Sequence, residues 1–138
     1  MKTYEEELKH FINAVHSADC SKQPYEHCYI NNIFSDELYD EILKNLPHDE
    51  DYYYMKHPDL SDYGKESPRL RIELNSNYIS TLPEDHVYRL VTKILHSKEL
   101  KALFFDKFKD TLIKSNRHKL QCSPQPCFMR DKTGYKIK

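Results

Sequence analysis

The chain has 138 residues and a mass of 16.6 kDa, enough for one hydrophobic core, and we predict a single domain over residues 1–138. A formal net charge of -1, with acids and bases interspersed, argues against a nucleic-acid or anionic-membrane partner. A mean hydropathy of -0.84 argues against a membrane span, and an acidic N-terminus without an apolar signal core predicts a cytoplasmic protein.

The first third of the chain predicts a helix, a loop and a strand. Thr3 followed by Glu6 is a capping-box pattern, and apolar residues then recur at helical spacing, which predicts a helix over residues 4–16. Residues 19–24 are polar and end in proline, as in a loop. Residues 25–33 are rich in aromatic and β-branched side chains, which favours a strand.

A second helix and a long irregular stretch follow. Ser35 is a good N-cap for a helix with a buried stripe of leucines and isoleucine that ends at Pro47. Residues 48–68 have no regular periodicity and are long for a connection inside a compact domain. The three tyrosines of this stretch, at positions 52–54, either cover a substrate cleft or hold a surface loop in place by aromatic packing.

The next segment predicts a strand and two helices. Residues 69–74 alternate, with Arg69 and Arg71 facing away from a core. Pro83 at a first helical position predicts a third helix, and Ser97 caps a fourth that continues to Asn116.

The last twelve residues read as two strands around a tight turn. Asp131 and Gly134 are typical turn residues, and Tyr135 and Ile137 then alternate with lysines. The second strand reaches Lys138, so we expect its edge to be covered by further residues or by a partner strand. Such an edge also makes a homo-oligomer a reasonable expectation.

This region carries a resemblance to a known family. Residues 130–137, RDKTGYKI, resemble the strand, turn and strand that precede the first metal-ligand motif, His-x-Asp, of Fe(II)/2-oxoglutarate-dependent dioxygenases. Residues 24–39 are similar to that family's usual opening, a short strand followed by a capped helix. The similarity covers roughly residues 24–138.

The resemblance implies a fold, an activity and cofactors. The fold class would be α+β, with helices packed on an incomplete antiparallel sheet like the N-terminal part of a double-stranded β-helix, or jelly roll. The complete domain would bind Fe(II) and 2-oxoglutarate and hydroxylate an unknown small-molecule, sugar or peptide substrate. The metal ligands would lie beyond Lys138, so the partner would be the C-terminal remainder of the domain. We therefore expect no cofactor to bind this chain alone, and we assign it no catalytic residue.

Two residues of this chain are candidates for cofactor binding. By their position in the family pattern, Arg130 and Tyr135 would flank the cofactor pocket, and an arginine can hold a carboxylate through two hydrogen bonds. The alternative is a surface arginine paired with Asp131 and a core tyrosine.

Three further residues of the chain could form an internal iron site. His57 and Asp59 form a His-x-Asp pair, and His118 follows in the right order for a triad. However, the segment between these histidines carries helical patterns where that fold has strands, so chance among eight histidines is the better explanation.

The cysteines leave two readings open, and so does the overall function. The four cysteines are Cys20, Cys28, Cys122 and Cys127. Their spacing fits no compact zinc site well, and half-buried thiols are the simpler interpretation, although a zinc-binding domain stays an alternative. The other functional alternative is a non-enzymatic α+β interaction module that pairs through its open C-terminal strand.

Overall fold

A computed structural model describes residues 2–54, 69–115 and 127–131. Within them the protein is α+β, with six α-helices and two small antiparallel sheets. The elements in chain order are α1 (Tyr4–Ser17), β1 (Cys20–Ser21), β2 (His27–Cys28), α2 (Asp36–Lys44), a 3₁₀ turn (Asp49–Asp51), β3 (Tyr53–Tyr54), β4 (Arg69–Glu73), α3 (Ser76–Ser80), α4 (Val87–Leu95), α5 (Lys98–Lys107), α6 (Lys109–Lys114) and β5 (Cys127–Asp131).

The chain divides into two compact units. The first comprises Met1–Asn45 and Glu84–Pro124, and the second comprises Leu46–Pro83 and Gln125–Lys138. The prediction of a single domain stays a prediction. Within the described ranges, no helix combines the length and the apolar composition that crossing a membrane requires.

The first unit is helical, and α1 is its central element. Helix α1 packs on α4 and α5, and α2 packs on α4. The predicted capping box is confirmed, because Glu6 N donates to Thr3 Oγ1 at 3.3 Å and Thr3 N donates to Glu6 Oε2 at 2.8 Å. The buried apolar side chains of this unit are Phe11, Val15, Leu38, Val87, Tyr88, Val91, Ile94 and Leu100.

Three predicted helices differ from the observed ones at their ends. The second ends at Lys44, with Asn45 as its C-cap, before the predicted end at Pro47. The third begins at Val87, because His86 Nδ1 accepts from Tyr88 N at 3.2 Å and caps it, while Pro83 lies before it. The fourth begins after Ser97 as predicted but is interrupted at Phe108, whose φ of -108° and ψ of 20° leave the helical region. Helices α5 and α6 therefore take the place of one long helix.

The predicted strand over residues 25–33 is wrong in extent. Only His27–Cys28 pairs, because its partner strand Cys20–Ser21 has two residues, in a segment expected to be a loop. Asn32 adopts a φ of 54°, the left-handed conformation that asparagine tolerates, and this ends any extended run.

The second unit is built on a three-stranded antiparallel sheet in the order β3-β4-β5. The predicted strand at residues 69–74 is confirmed as the central strand, with Ile72 and Leu74 buried. The five-residue helix α3 was not predicted, because it is too short to show an apolar period; Asn75 caps it by accepting from Tyr78 N at 3.0 Å.

Candidate functional site

Arg130 lies on the core-facing side of the three-stranded sheet. The register places Arg130 opposite Leu70, and Phe128 opposite the buried Ile72. Residues directly opposite each other on antiparallel strands share a face, and so do residues two apart on one strand. The guanidinium of Arg130 therefore emerges beside apolar side chains, and only 31% of the Arg130 side chain is exposed.

Two neighbours hold this guanidinium. Arg130 forms an ion pair with Asp49, in which Nη1 lies 2.7 Å from Oδ1, and the Arg130 Cζ atom lies 4.5 Å from the centre of the Tyr52 ring. The first contact pairs opposite charges, and the second has cation–π geometry. Both partners come from the 3₁₀ turn and the residue that ends it, so this turn serves to orient the arginine.

The Nε–H group of Arg130 has no protein partner in the part of the chain that the structure describes. Its Nε atom is buried and makes no hydrogen bond there. A buried donor without an acceptor costs about 1–3 kcal/mol, so such a group commonly marks a place for a ligand or an ion. The unfilled Nε–H edge is the feature of this cluster that points toward an anionic ligand.

Tyr52 belongs to this cluster, and Tyr78 lies near Tyr52 and Asp51. Burial raises the pKa of Tyr52; the Arg130 charge opposes this effect, and the Asp49 and Asp51 carboxylates add to it. Burial also raises the pKa of Tyr78 on α3, with further contributions from Asp51 and Tyr52. Both phenols are therefore protonated at neutral pH and available as hydrogen-bond donors.

This arrangement is suited to binding a ligand. A guanidinium is permanently charged, and both phenols keep their protons at neutral pH, so none of these three groups exchanges a proton easily. Together they offer an aromatic wall, phenol donors and a cation, a set that suits a small carboxylate.

The sequence identified only part of this site. Arg130, which the resemblance named, is a member of this cluster, and its role in cofactor binding stays a prediction. Tyr135, His57, Asp59 and His118 lie outside the described residues. Asp49 was missed, since nothing in the sequence signals a contact with Arg130 across some 80 positions. Tyr78, whose pKa responds to Asp51 and Tyr52, was missed as well. The tyrosine run at positions 52–54 was the available signal, and Tyr52 is its member that reaches the site.

The other strand arginines differ from the prediction in one case. Arg69 is exposed as expected, whereas Arg71 is half-buried and pairs with Glu73, and its Nε is buried without an acceptor in the described chain.

Among the described residues, no group of three His, Cys, Asp or Glu side chains is placed to hold a metal ion. Cys122 is not described, so the four-cysteine zinc alternative stays open.

Comparison with protein-family models, with curated proteins and with solved structures gives no match to this chain. The geometry of the Arg130 cluster and the sequence resemblance are therefore the grounds for a functional proposal.

Proposed function

We propose that this chain is the N-terminal portion of an Fe(II)/2-oxoglutarate-dependent dioxygenase domain, a hydroxylase of unknown substrate. Two independent features support the proposal. One is the resemblance of residues 24–39 and 130–137 to that family, and the other is the α+β architecture with a small antiparallel sheet that further strands would complete as a jelly roll.

The observation that carries the proposal is the buried Nε–H edge of Arg130. A carboxylate of 2-oxoglutarate would accept from this edge, while Asp49 and Tyr52 hold the guanidinium from its other side and from its face. The residues present thus fit the carboxylate end of this cofactor.

The proposal takes its iron ligands from outside the described residues. A site of this type needs two imidazoles and one carboxylate, and the described part of the chain brings no three such groups together. In the proposal, the ligands lie after Lys138, as the resemblance implies. When bound, iron and 2-oxoglutarate would supply the activation of dioxygen for hydroxylation, and this chain would supply the anchor for the organic cofactor.

A second candidate function rests on the sheet. In the described order β3-β4-β5, strand β5 is a terminal strand, and a terminal strand can pair with an extended segment of another protein. On this alternative the chain is an interaction module without enzymatic activity.

The coding sequence after the codon for Lys138 distinguishes these candidates. The dioxygenase proposal expects an open reading frame with a His-x-Asp pair within a few residues. A natural stop codon at that point would contradict the proposal and favour the interaction module.

Kinetics on the extended protein test the role of Arg130. Arg130→Gln is expected to raise the KM for 2-oxoglutarate at least about 10-fold, because it removes a charge-assisted carboxylate contact, and Arg130→Lys should recover part of the loss. Arg69→Gln, an exposed arginine on the same sheet, is the matched control. An unchanged KM in Arg130→Gln would remove Arg130 from the site.

Titration of this chain alone tests where the metal ligands lie. With Mn(II) as a stand-in for Fe(II), together with 2-oxoglutarate, we expect no saturable calorimetric isotherm in the micromolar range. A clear isotherm would show that the iron ligands are inside the chain and would revive His57, Asp59 and His118.

A further inference from the structure

The short hairpin of the first unit brings two cysteines together. Cys20 on β1 and Cys28 on β2 are directly opposed, and their Sγ atoms lie 2.6 Å apart. Opposed residues on antiparallel strands have Cα atoms about 4.5–5.5 Å apart, within the range that a disulfide spans. We propose that Cys20 and Cys28 form a reversible redox pair, which a small-molecule disulfide such as oxidised glutathione converts into an internal disulfide.

The reaction is two successive thiol–disulfide exchanges. The Cys20 thiolate attacks one sulfur of oxidised glutathione, forming a mixed disulfide and releasing one glutathione thiolate. The Cys28 thiolate then attacks Cys20 Sγ, the Sγ–Sγ bond forms, and the second glutathione leaves. Two protein thiols are oxidised, one glutathione disulfide is reduced, and the two cysteine protons end on the two glutathione thiols.

The exposure of the two cysteines determines which of them attacks glutathione first. Cys20 is exposed, whereas Cys28 is half-buried. Burial raises the pKa of Cys28 to about 11, its hydrogen bond to Cys20 and the Cys20 charge add to the effect, and Lys107 opposes it. Cys20 is therefore the first nucleophile. Once Cys20 is in the mixed disulfide its charge is gone, which lowers the cost of ionising Cys28 for the second step.

The hairpin follows α1 and is bonded to α6, and the end of α1 is bonded to α5, so a Cys20–Cys28 bond would act on more than two residues. Lys107 on α5 donates to the carbonyl oxygens of Ala18 and, at 3.4 Å, of His16, at the end of α1. Thr111 on α6 donates through its hydroxyl to the Glu26 carboxylate inside the hairpin loop. A Cys20–Cys28 bond would close this loop and restrict the unfolded chain, which stabilises the folded state.

The experiment uses the full chain and a variant carrying Cys122→Ser and Cys127→Ser. Incubation with oxidised glutathione is expected to consume two thiols in the variant, to lower its mass by about 2 Da as a two-electron oxidation requires, and to raise Tm by about 5 °C until reductant is added. Adding Cys28→Ser to the variant is the control. It should stop at one glutathione adduct, without the rise in Tm.

Peptide mapping of the unsubstituted chain gives a readout that does not depend on the variants folding. A linked peptide pair containing Cys20 and Cys28 is the expected product. Free thiols, two separate glutathione adducts, or a bond from Cys20 or Cys28 to Cys122 or Cys127 would each overturn the proposal.

Discussion

Ser35 makes two hydrogen bonds that connect two helices of the first unit. Its Oγ accepts from Leu38 N at 3.2 Å, which caps α2, and donates to Glu7 Oε1 on α1 at 2.7 Å. Glu7 is only 1% exposed, and its Oε2 has no hydrogen-bond partner among the described residues. The Ser35 hydroxyl thus donates the hydrogen bond that stabilises this buried carboxylate.

We predict that Ser35→Ala destabilises the fold by about 2–4 kcal/mol, because it removes an N-cap and leaves the Glu7 carboxylate unpaired. Ser97→Ala is the matched control, since Ser97 is also a buried cap that accepts from Leu100 N at 3.3 Å. It should cost about 1 kcal/mol, the cap alone. Urea unfolding at pH 7 measures both changes, and equal losses would mean that the contact with Glu7 contributes nothing.

The pKa of Cys28 predicts slow alkylation in reduced protein. A pKa of about 11 instead of the ordinary 9.0 lowers the thiolate fraction at pH 8 by roughly 100-fold. Labelling with iodoacetamide should therefore leave Cys28 largely unmodified at pH 8 and speed up as the pH rises toward 11. Replacing Cys20 by serine removes the Cys20 charge and should shift this profile to lower pH. Equal labelling of Cys20 and Cys28 at pH 8, read by mass spectrometry, would contradict the prediction.

At the scale of elements, the three-stranded sheet has one buried face and one more exposed face. Ile72 on β4 is 2% exposed and pairs with Phe128 on β5. The next residue of β5, Met129, is 46% exposed. Alternation along each strand assigns these two side chains to opposite faces of the sheet.

Ile72→Ala is therefore expected to lower the free energy of unfolding by about 2–4 kcal/mol, through lost burial and the cavity left behind. Met129→Ala removes a half-exposed side chain and should cost less than about 1 kcal/mol. Chemical denaturation of the two variants compares the faces directly, and similar losses would show that the register is wrong.

The sequence predicted elements whose signals are local and missed those set by distant contacts. The start of α1 and the N-caps Ser35 and Ser97 follow from side chains that bond within three residues, and these predictions are confirmed. The break at Phe108 has no proline or glycine to announce it. The length of β2 depended on a partner strand of two residues that composition does not reveal.

The same distinction applies to the candidate site. Arg130 was named as a candidate because a resemblance in its own segment marked it. Asp49 and Tyr78 needed the register of β4 with β5 and the position of α3, which only the folded chain supplies. The resemblance also could not show that the Arg130 partner is Asp49.

At the scale of the whole molecule, most of the second unit is one chain segment, Leu46–Pro83, inserted between the two segments of the helical unit. Asn45 ends the first segment of the helical unit and Glu84 begins the next, and the Tyr88 hydroxyl donates to the Asn45 carbonyl. The intervening segment, Leu46–Pro83, therefore follows directly after Asn45, and Tyr88, which holds Asn45, lies four residues after the chain returns to the helical unit at Glu84. Bringing the two ends of a chain segment together costs conformational entropy, and the folded helical unit already holds these ends in place. We therefore expect the stabilities of the two units to be coupled.

Tyr88→Phe tests this coupling, because it removes the closing hydrogen bond and keeps the ring, which is 1% exposed. We expect protection against hydrogen exchange to fall by about 1 kcal/mol in α4 and by a similar amount in β4, as one cooperative domain requires. Tyr39→Phe is the control, since that tyrosine is 51% exposed and should change neither region. Loss of protection in α4 with β4 unaffected would mean that the two units unfold independently, and that the single-domain prediction is wrong.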